Sequence, residues 1–436
     1  MAWEGYLTLD GVEIANRQRF ETYTGTRSWF QPVYRADGVG NALEQTYTDV
    51  ATDVAPWWDP DVPASLDLLG FYPINIVGLE DSSRTVSTVE STRDGGVPGR
   101  VRHATKEVNV TGFVAGGSEA AVEYGLIWLR RVLLAGLCSP QDARKQALGT
   151  EMTFFGYEPP TQAAAEEAEM SAQMVRDAIT RTYRGTVTAT GPQVLSRRKL
   201  ACGDFVAQVQ FTFRIGDPAI YSNSTRVFSG LLDPIDPIVW GTTVEEGDVD
   251  TTTFEEALCG QPLWAPLYDP ECAAAITPPS PPNVPLGCWT APTEGATFDR
   301  TVVTIPATTF QTFTEMMPVL TLTNVNVEPL RDIRIRFYRD PLDDLDLEAN
   351  PCEFVSDIVL SFIPSGTLII DASYEQTHIT TTGGNTRRAD SLIFATDQRP
   401  VRWPVLDCGV QYLMTVDTLG SDDPPIIDLA LIAKSV

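Results

Sequence analysis

Hydrophobic and polar positions alternate with a period of two along much of this chain, and one stretch breaks clearly into a helical period. Residues 116–136 read GGSEAAVEYGLIWLRRVLLAG. At 3.6 residues per turn Val122, Leu126, Leu129 and Leu133 form one stripe, which Ala121, Trp128 and Val132 widen. Ser118 follows two glycines, and its hydroxyl suits the orphan N–H groups of a first turn. Glu119 complements the positive end of the helix, and Gly136 offers a left-handed stop. Tyr124, Ile127 and Leu134 cover much of the far side, which leaves Glu119, Glu123 and Arg130 as a narrow polar strip, with Arg131 apart from it. A helix apolar nearly all round is buried on more than one side. The pattern predicts one face against the chain's own sheet and the rest against further protein. Val122, Leu126, Leu129, Leu133 and Trp128 are therefore interface candidates.

The two-residue period predicts the rest. Residues 6–9 and 12–14 alternate around Asp10-Gly11, a hairpin signal. Residues 24–70 are rich in Asp, Pro, Gly and aromatics and predict loops with short strands. A strand is expected at 71–78. Long β-branched strands at 84–93 and 100–113 should form a hairpin through DGGVPG, followed after the helix by a strand at 151–157. Residues 161–182 predict a second, surface helix, with Ala164, Ala168, Val175, Ala178 and Ile179 on its inner side. Strands at 183–190 and 205–215 close the first half. From Phe298 onward eight short alternating strands, at 301–305, 319–324, 333–338, 358–363, 367–370, 391–396, 410–416 and 426–432, suggest a β-sandwich with no helix.

Charge divides the chain further. Of its 436 residues, with a net charge of −27, residues 1–228 carry 27 acids and 21 bases, and residues 298–436 carry 20 and 10. Residues 229–297 hold 11 acids, 11 prolines and no Lys or Arg, and read as an extended acidic linker. The expected organisation is a first domain at 1–228, a linker at 229–297 and a sandwich at 298–436. So negative a chain is a poor direct partner for duplex DNA or an anionic membrane. The opening residues lack a basic start and an apolar core, and no apolar run would span a bilayer. Synthesis and folding in a cytosol are expected, without membrane insertion.

Candidate chemistry is sparse. The glycines before Ser118 lack the lysine of a phosphate-binding loop, and Glu119 would repel an anion, so a capped turn is the better reading. Asp340, Asp343, Asp344, Asp346 and Glu348 form an acidic run without the glycine and distal glutamate of a calcium loop, which favours a solvated loop. His103 and His378 have no nucleophile motif beside them, and no hydrolase or zinc-protease signature occurs. Trp57-Trp58 and Trp403 are candidates for stacking on sugars but serve better as core or subunit anchors. Arg197-Arg198-Lys199 and Arg387-Arg388 suit interface ion pairs or solvated turns. Seven cysteines, without a Cys-x-x-Cys spacing, predict no zinc site. Cys352 and Cys408 each precede a strand of the sandwich and are expected close in space, with Cys259 and Cys272 as the second candidate pair. No catalytic residue, metal or cofactor is expected.

Several stretches resemble minor tail proteins of actinobacteriophages. They are LTLDGVEIAN at 7–16, CGQPLWAPLYDPEC and PPNVPLGCW in the linker, IPSGTLIIDAS at 363–373, RRADSLIF at 387–394 and RPVRWPVLDCGVQY at 399–412. The resemblance implies a distal tail protein of a long-tailed phage. Its N-terminal β-sandwich with a packed helix would form a ring, hexameric in that family, and its C-terminal galectin-like β-sandwich would sit outside. The implied neighbours are further copies in the ring, the tail tube protein, the tail hub and other minor tail proteins, with the tape measure protein a further candidate. The implied place is the virion tail tip, after assembly in the host cytoplasm. Neither catalytic residues nor sequence-specific nucleic-acid contacts carry over. A second reading is an adhesin-like module that binds host-envelope glycan through the C-terminal sandwich.

Overall fold

The computed structural model describes residues 3–25, 27, 29–30, 37–81, 84–90, 96–134, 150–231, 236–239, 297–309, 313–325, 330–340, 345, 347, 353–363, 365–381, 384–395, 400–419 and 425–435. The fold is mainly β, and the chain divides into two compact units, Met1–Asn223 with Ser435–Val436, and Ser224–Lys434.

The first unit opens with the hairpin of β1 (Trp3–Leu9) and β2 (Val12–Asn16), whose turn residues Asp10 and Gly11 both have positive φ. Asn16 then caps α1 (Arg17–Thr24), accepting from the Arg19 N–H at 3.0 Å. Residues 24–70 contain no strand before Leu68 among the described residues. They hold α2 (Val39–Leu43), α3 (Pro63–Leu66) and turns, so the expected short strands are replaced by helical turns. Pro, Asp and Gly satisfy their own backbone locally there, as Asp49 does for the Ala51 and Thr52 N–H groups.

β3 (Leu68–Val77), the separate hairpin of β4 (Arg84–Glu90) and β5 (Gly96–His103), and β6 (Lys106–Gly116) follow. The expected strand at 100–113 is thus two strands that belong to different sheets. α4 (Glu119–Leu133) is the predicted central helix, with the Ser118 hydroxyl accepting from the Ala121 N–H at 3.2 Å. β7 (Thr150–Phe155) leads to α5 (Gln162–Glu167) and α6 (Ala172–Ile179), which replace the single helix expected at 161–182. Glu169 turns left-handed at φ 53, Ser171 caps the second segment, and Thr180 already begins a strand. Nor does this pair simply lie on the surface. Ala165, Val175 and Ile179 close a satellite core with Tyr6, Val39, Ala42 and Phe155.

β8 (Thr180–Lys199), β9 (Phe205–Ile215) and β10 (Ile220–Ser222) complete the unit. The strands pair in the order β2-β1-β7-β8-β9-β6-β3, all antiparallel, with β10 also on β8. β6 and β9 match over eleven consecutive pairs, from Lys106↔Ile215 to Gly116↔Phe205. β8 and β9 slip three times, once around Pro192, which cannot donate to a ladder. Leu126, Leu129 and Leu133 of α4 pack with Val114 of β6, Leu68 of β3 and Val209 and Phe211 of β9.

Gly125 brings the helix onto this sheet. A methyl group there would come within 2.6 Å of Leu68 Cδ1 and 2.8 Å of Val114 Cγ1, and both side chains are buried. Alanine normally improves a helix interior. Gly125→Ala should instead destabilise the unit by about 1–3 kcal/mol, because the core has no room for the added carbon. A raised melting temperature would refute this close approach.

The second unit comprises β11 (Thr225–Leu231), β12 (Asp236–Val239), β13 (Thr297–Ile305), β14 (Glu315–Asn324), β15 (Leu330–Arg339), β16 (Phe354–Ile363), β17 (Gly366–Asp371), β18 (Gln376–Thr381), β19 (Thr386–Arg388), β20 (Ile393–Phe394), β21 (Leu406–Asp407), β22 (Tyr412–Leu419) and β23 (Ile426–Ser435). One sheet runs β19-β18-β17-β14-β23-β11, with β21 also on β14. The other runs β12-β13-β22-β15-β16-β20. Their inner faces share one core. Leu320, Leu368 and Leu429 of the first meet Ile335, Phe337, Leu360 and Met414 of the second. The expected sandwich is present, as two antiparallel sheets packed face to face. The strand expected at 391–396 is mostly a 3-10 turn, Asp390–Leu392, before the two-residue β20. The boundary expected at Phe228 falls inside β11, so residues from the linker side enter both sheets of the sandwich. Residues 240–296 of the expected linker lie outside the described residues.

Candidate interaction site

The apolar stripe of α4 faces inward. Val122, Leu126, Leu129 and Leu133 are all buried in the first unit's own core, so as interface candidates they lie behind the surface. Two apolar sides of a helix can both be used within one unit when sheet and turns wrap it, and here they do. Trp128 is half-buried, donating its Nε1–H to the Pro56 carbonyl at 3.2 Å and meeting Trp57 edge-on. Tyr124 donates to the Trp57 carbonyl at 2.7 Å, and burial raises its phenol. The segment 55–58 covers this side. Trp57 is a core anchor, as its Nε1–H donates to Leu68 O at 3.1 Å. What α4 leaves open is Glu119, Glu123, Ile127, Arg130, Arg131 and Leu134, with Ile127 and Leu134 about half exposed.

Beside this open face lies the end of β8. From Val187 to Lys199 this strand pairs with β9 on one side and with no second strand among the described residues. Its outward positions include Val187 and Leu195, exposed by 53% and 51%. The border strand β3 also carries half-exposed aliphatic side chains, Ile74 and Val77, but part of its edge is taken. Glu4 accepts from the Ile76 N–H at 3.1 Å, and Arg17 reaches the Pro73 carbonyl at 3.5 Å, so side chains from β1 and α1 cover part of its edge. An exposed strand edge is a template for pairing.

At the far end of the same strand Arg197, Arg198 and Lys199 line an open cleft of about 180 Å³ with Glu119, Val122, Phe205 and Val206. The basic run lies on a strand and not on a solvated turn, the second of the two settings expected for it. Arg197 pairs with Glu123 at 2.8 Å, and Lys199 stands over the Phe205 ring at 5.4 Å. Arg27 and Trp29 both reach the nearby Asp204, the indole at 2.6 Å. The sequence signal for this cleft is RRK in an acidic chain; its pairing with the start of α4 needed the fold.

Elsewhere polar groups are locked into the structure. In the first unit Glu13, Asn16 and Arg19 form a buried network, with Arg19 Nε on Glu13 at 2.8 Å. Burial raises the Glu13 carboxyl, partly offset by Arg19. Lys106 donates to the Leu79 carbonyl at 3.1 Å and to Tyr183; burial lowers its ammonium, which Asp81 and Glu80 partly counter. Trp403 of the second unit packs against the sandwich core. Arg387 and Arg388 sit on the exposed β19, with Arg388 paired to Asp390. Asp340 is buried, accepting from the Leu345 N–H and from Gln411 at 3.1 Å each, whereas Asp343, Asp344, Asp346 and Glu348 lie outside the described residues. Cys408 is a free, half-buried thiol that burial raises to about 11. Cys352, Cys259 and Cys272 also lie outside the described residues. Among the described residues no three His, Cys, Asp or Glu side chains converge as a metal site would need, and no helix is long and apolar enough to cross a membrane.

The fold and these surfaces define a mainly β, two-unit protein in which, among the described residues, the end of β8 has an open edge beside a basic cleft. No protein-family model matches the chain, and no curated protein matches it. Among solved structures, the SPP1 Dit (gp 19.1) protein, described as a paradigm of the hub adsorption apparatus in phages infecting Gram-positive hosts, is 13% identical. That match covers 84% of this chain and 94% of the other, with a TM-score of 0.36. The phage P2 baseplate in its activated conformation, determined with Ca and with Sr, is 12% identical. It covers 87% of this chain and 93% of the other, with TM-scores of 0.37 and 0.36. At such identity and overlap these likenesses do not assign the chain a role.

Proposed function

We propose that this chain is a structural component of a phage tail tip, with no enzymatic activity. Its first unit forms a ring, six copies by resemblance, that joins the tail tube to the hub and host-recognition proteins. The observation that carries the reading is the edge of β8 from Val187 to Lys199, which pairs with no second strand among the described residues and carries the exposed Val187 and Leu195. A head-to-tail contact through such an edge makes a ring when the rotation closes. The resemblance of the sequence stretches at 7–16, 363–373, 387–394 and 399–412 to minor tail proteins supports the same assignment. A net charge of −27 suits a conduit that DNA passes without adhering. Virion location and assembly in the host cytoplasm follow from that role. Glycan adhesion through the second unit has less support, because its aromatic candidate, Trp403, packs on the sandwich core.

Native mass spectrometry of the full chain, beside labelling of isolated virions, tests the proposal. Closed rings and label at the tail tip are expected; a monomer at every concentration together with unlabelled tips would refute it. Val187→Lys with Leu195→Lys should abolish ring formation and leave the thermal melt within about 0.5 kcal/mol, since both side chains are exposed. Rings that survive this double change would remove the β8 edge from the interface.

A further inference from the structure

The basic cleft beside α4 is used by the fold only in part. Arg197 has Glu123, but Arg198 and Lys199 are exposed and have no acidic partner among the described residues. They lie opposite Val206 and Phe205 in the β8-β9 ladder and line the cleft with these two, Val122 and the one carboxylate Glu119, so the cleft offers cations beside apolar side chains. In a chain with 58 acids and 31 bases, two adjacent bases without an acidic partner among the described residues select for carboxylates.

The chain itself contains the complement. Residues 243–256, TVEEGDVDTTTFEE, carry Glu245, Glu246, Asp248, Asp250, Glu255 and Glu256 with no Lys or Arg, and Phe254 supplies an apolar side chain among them. We infer that the cleft of Arg197, Arg198 and Lys199 receives the acidic stretch 243–256 of a second copy of this chain. The inference rests on the ring reading, which brings copies side by side, and on charge and apolar complementarity between cleft and stretch. It assigns to the acidic segment a role beyond spacing, as a strap from each copy to its neighbour. The interaction is a set of rim ion pairs around one apolar contact, so it should weaken as salt screens it.

Sedimentation velocity of the full-length protein at about 50 and about 300 mM salt reads the effect. The unmodified chain should self-associate more tightly at low salt. Arg198→Glu with Lys199→Glu should weaken association roughly tenfold, and Glu245→Lys with Glu246→Lys should do the same. Joining both pairs in one chain should restore association, because the charges are then exchanged across the contact. The thermal melt controls for folding and should not change with Arg198 and Lys199, which are exposed. If the chain self-associates and neither pair has an effect, or if the combined variant is weaker than either pair, the inference falls and the ring reading stands. A chain that stays monomeric at all concentrations removes both. A labelled duplex oligonucleotide is the remaining arm. Binding to it that is lost in Arg198→Glu with Lys199→Glu would make phosphate the occupant and overturn the assignment.

Discussion

Leu129→Ala should destabilise the first unit by about 2–5 kcal/mol, with Leu126→Ala close behind. Both side chains are fully enclosed, Leu129 at 0% exposure and Leu126 at 1%, between α4 and the β3-β6-β9 sheet. Truncation removes the transfer energy of the lost carbons and leaves a cavity that a sheet anchored by eleven consecutive pairs cannot collapse to fill. Ile127→Glu on the opposite side of the helix is the contrast. It is half exposed, so its melt should be nearly unchanged, and any loss of assembly would mark the outer face of α4 as a contact. Denaturant titration with a sizing column reads both quantities. A Leu129→Ala protein that melts normally and fails only in assembly would return the stripe to the interface.

That contrast shows what the sequence could convey about this helix. Its start was legible from Ser118 and Glu119 and its inner stripe from the periodic leucines, because capping and amphipathicity are local; it ends at Leu133, and the expected stop at Gly136 lies outside the described residues. The use of its second side was not. Trp128 and Tyr124 are turned inward by the carbonyls of Pro56 and Trp57, some seventy residues earlier, and no periodicity reports such a distant hydrogen bond. The same limit explains residues 161–182. Their alanine-rich run has a helical period, but Glu169 adopts a left-handed turn and Ser171 restarts the helix, a local cap that the overall composition obscured. In the sandwich, β-branched alternation revealed most long strands. β18, β19 and β21 were missed because QTHITT, TRR and LD are short or polar and are strands only by virtue of their neighbours. The interaction site was partly legible: RRK stood out by charge, whereas its cleft depends on the register of β8 against β9.

The charged outer face of the second unit's sheet was not legible at all, and it carries the other large effect. Arg300, Arg334 and Asp417 occupy neighbouring strands β13, β15 and β22 on the side away from the sandwich core, yet all three are buried. Asp417 accepts from Arg300 Nε at 2.7 Å and from Arg334 Nη2 at 2.6 Å. Burial alone would raise this carboxyl; the two guanidinium groups more than reverse that and hold it well below the usual carboxylate range. Asp417→Ala removes the carboxylate from between two buried cations and should cost about 3–5 kcal/mol. The depressed folded value also sets the direction of the pH dependence. The unfolded chain takes up its proton near pH 3.9, while the folded chain resists until much lower pH. The contribution of Asp417 is therefore complete above about pH 4 and is lost as pH falls through the folded value. Asp417→Asn keeps the shape but not the charge. It should lower the urea midpoint at neutral pH and flatten the loss of stability between about pH 4 and pH 2 relative to the unmodified chain. Equal midpoints for the two proteins at neutral pH, or parallel acid profiles, would show that the arginines do not depend on this carboxylate.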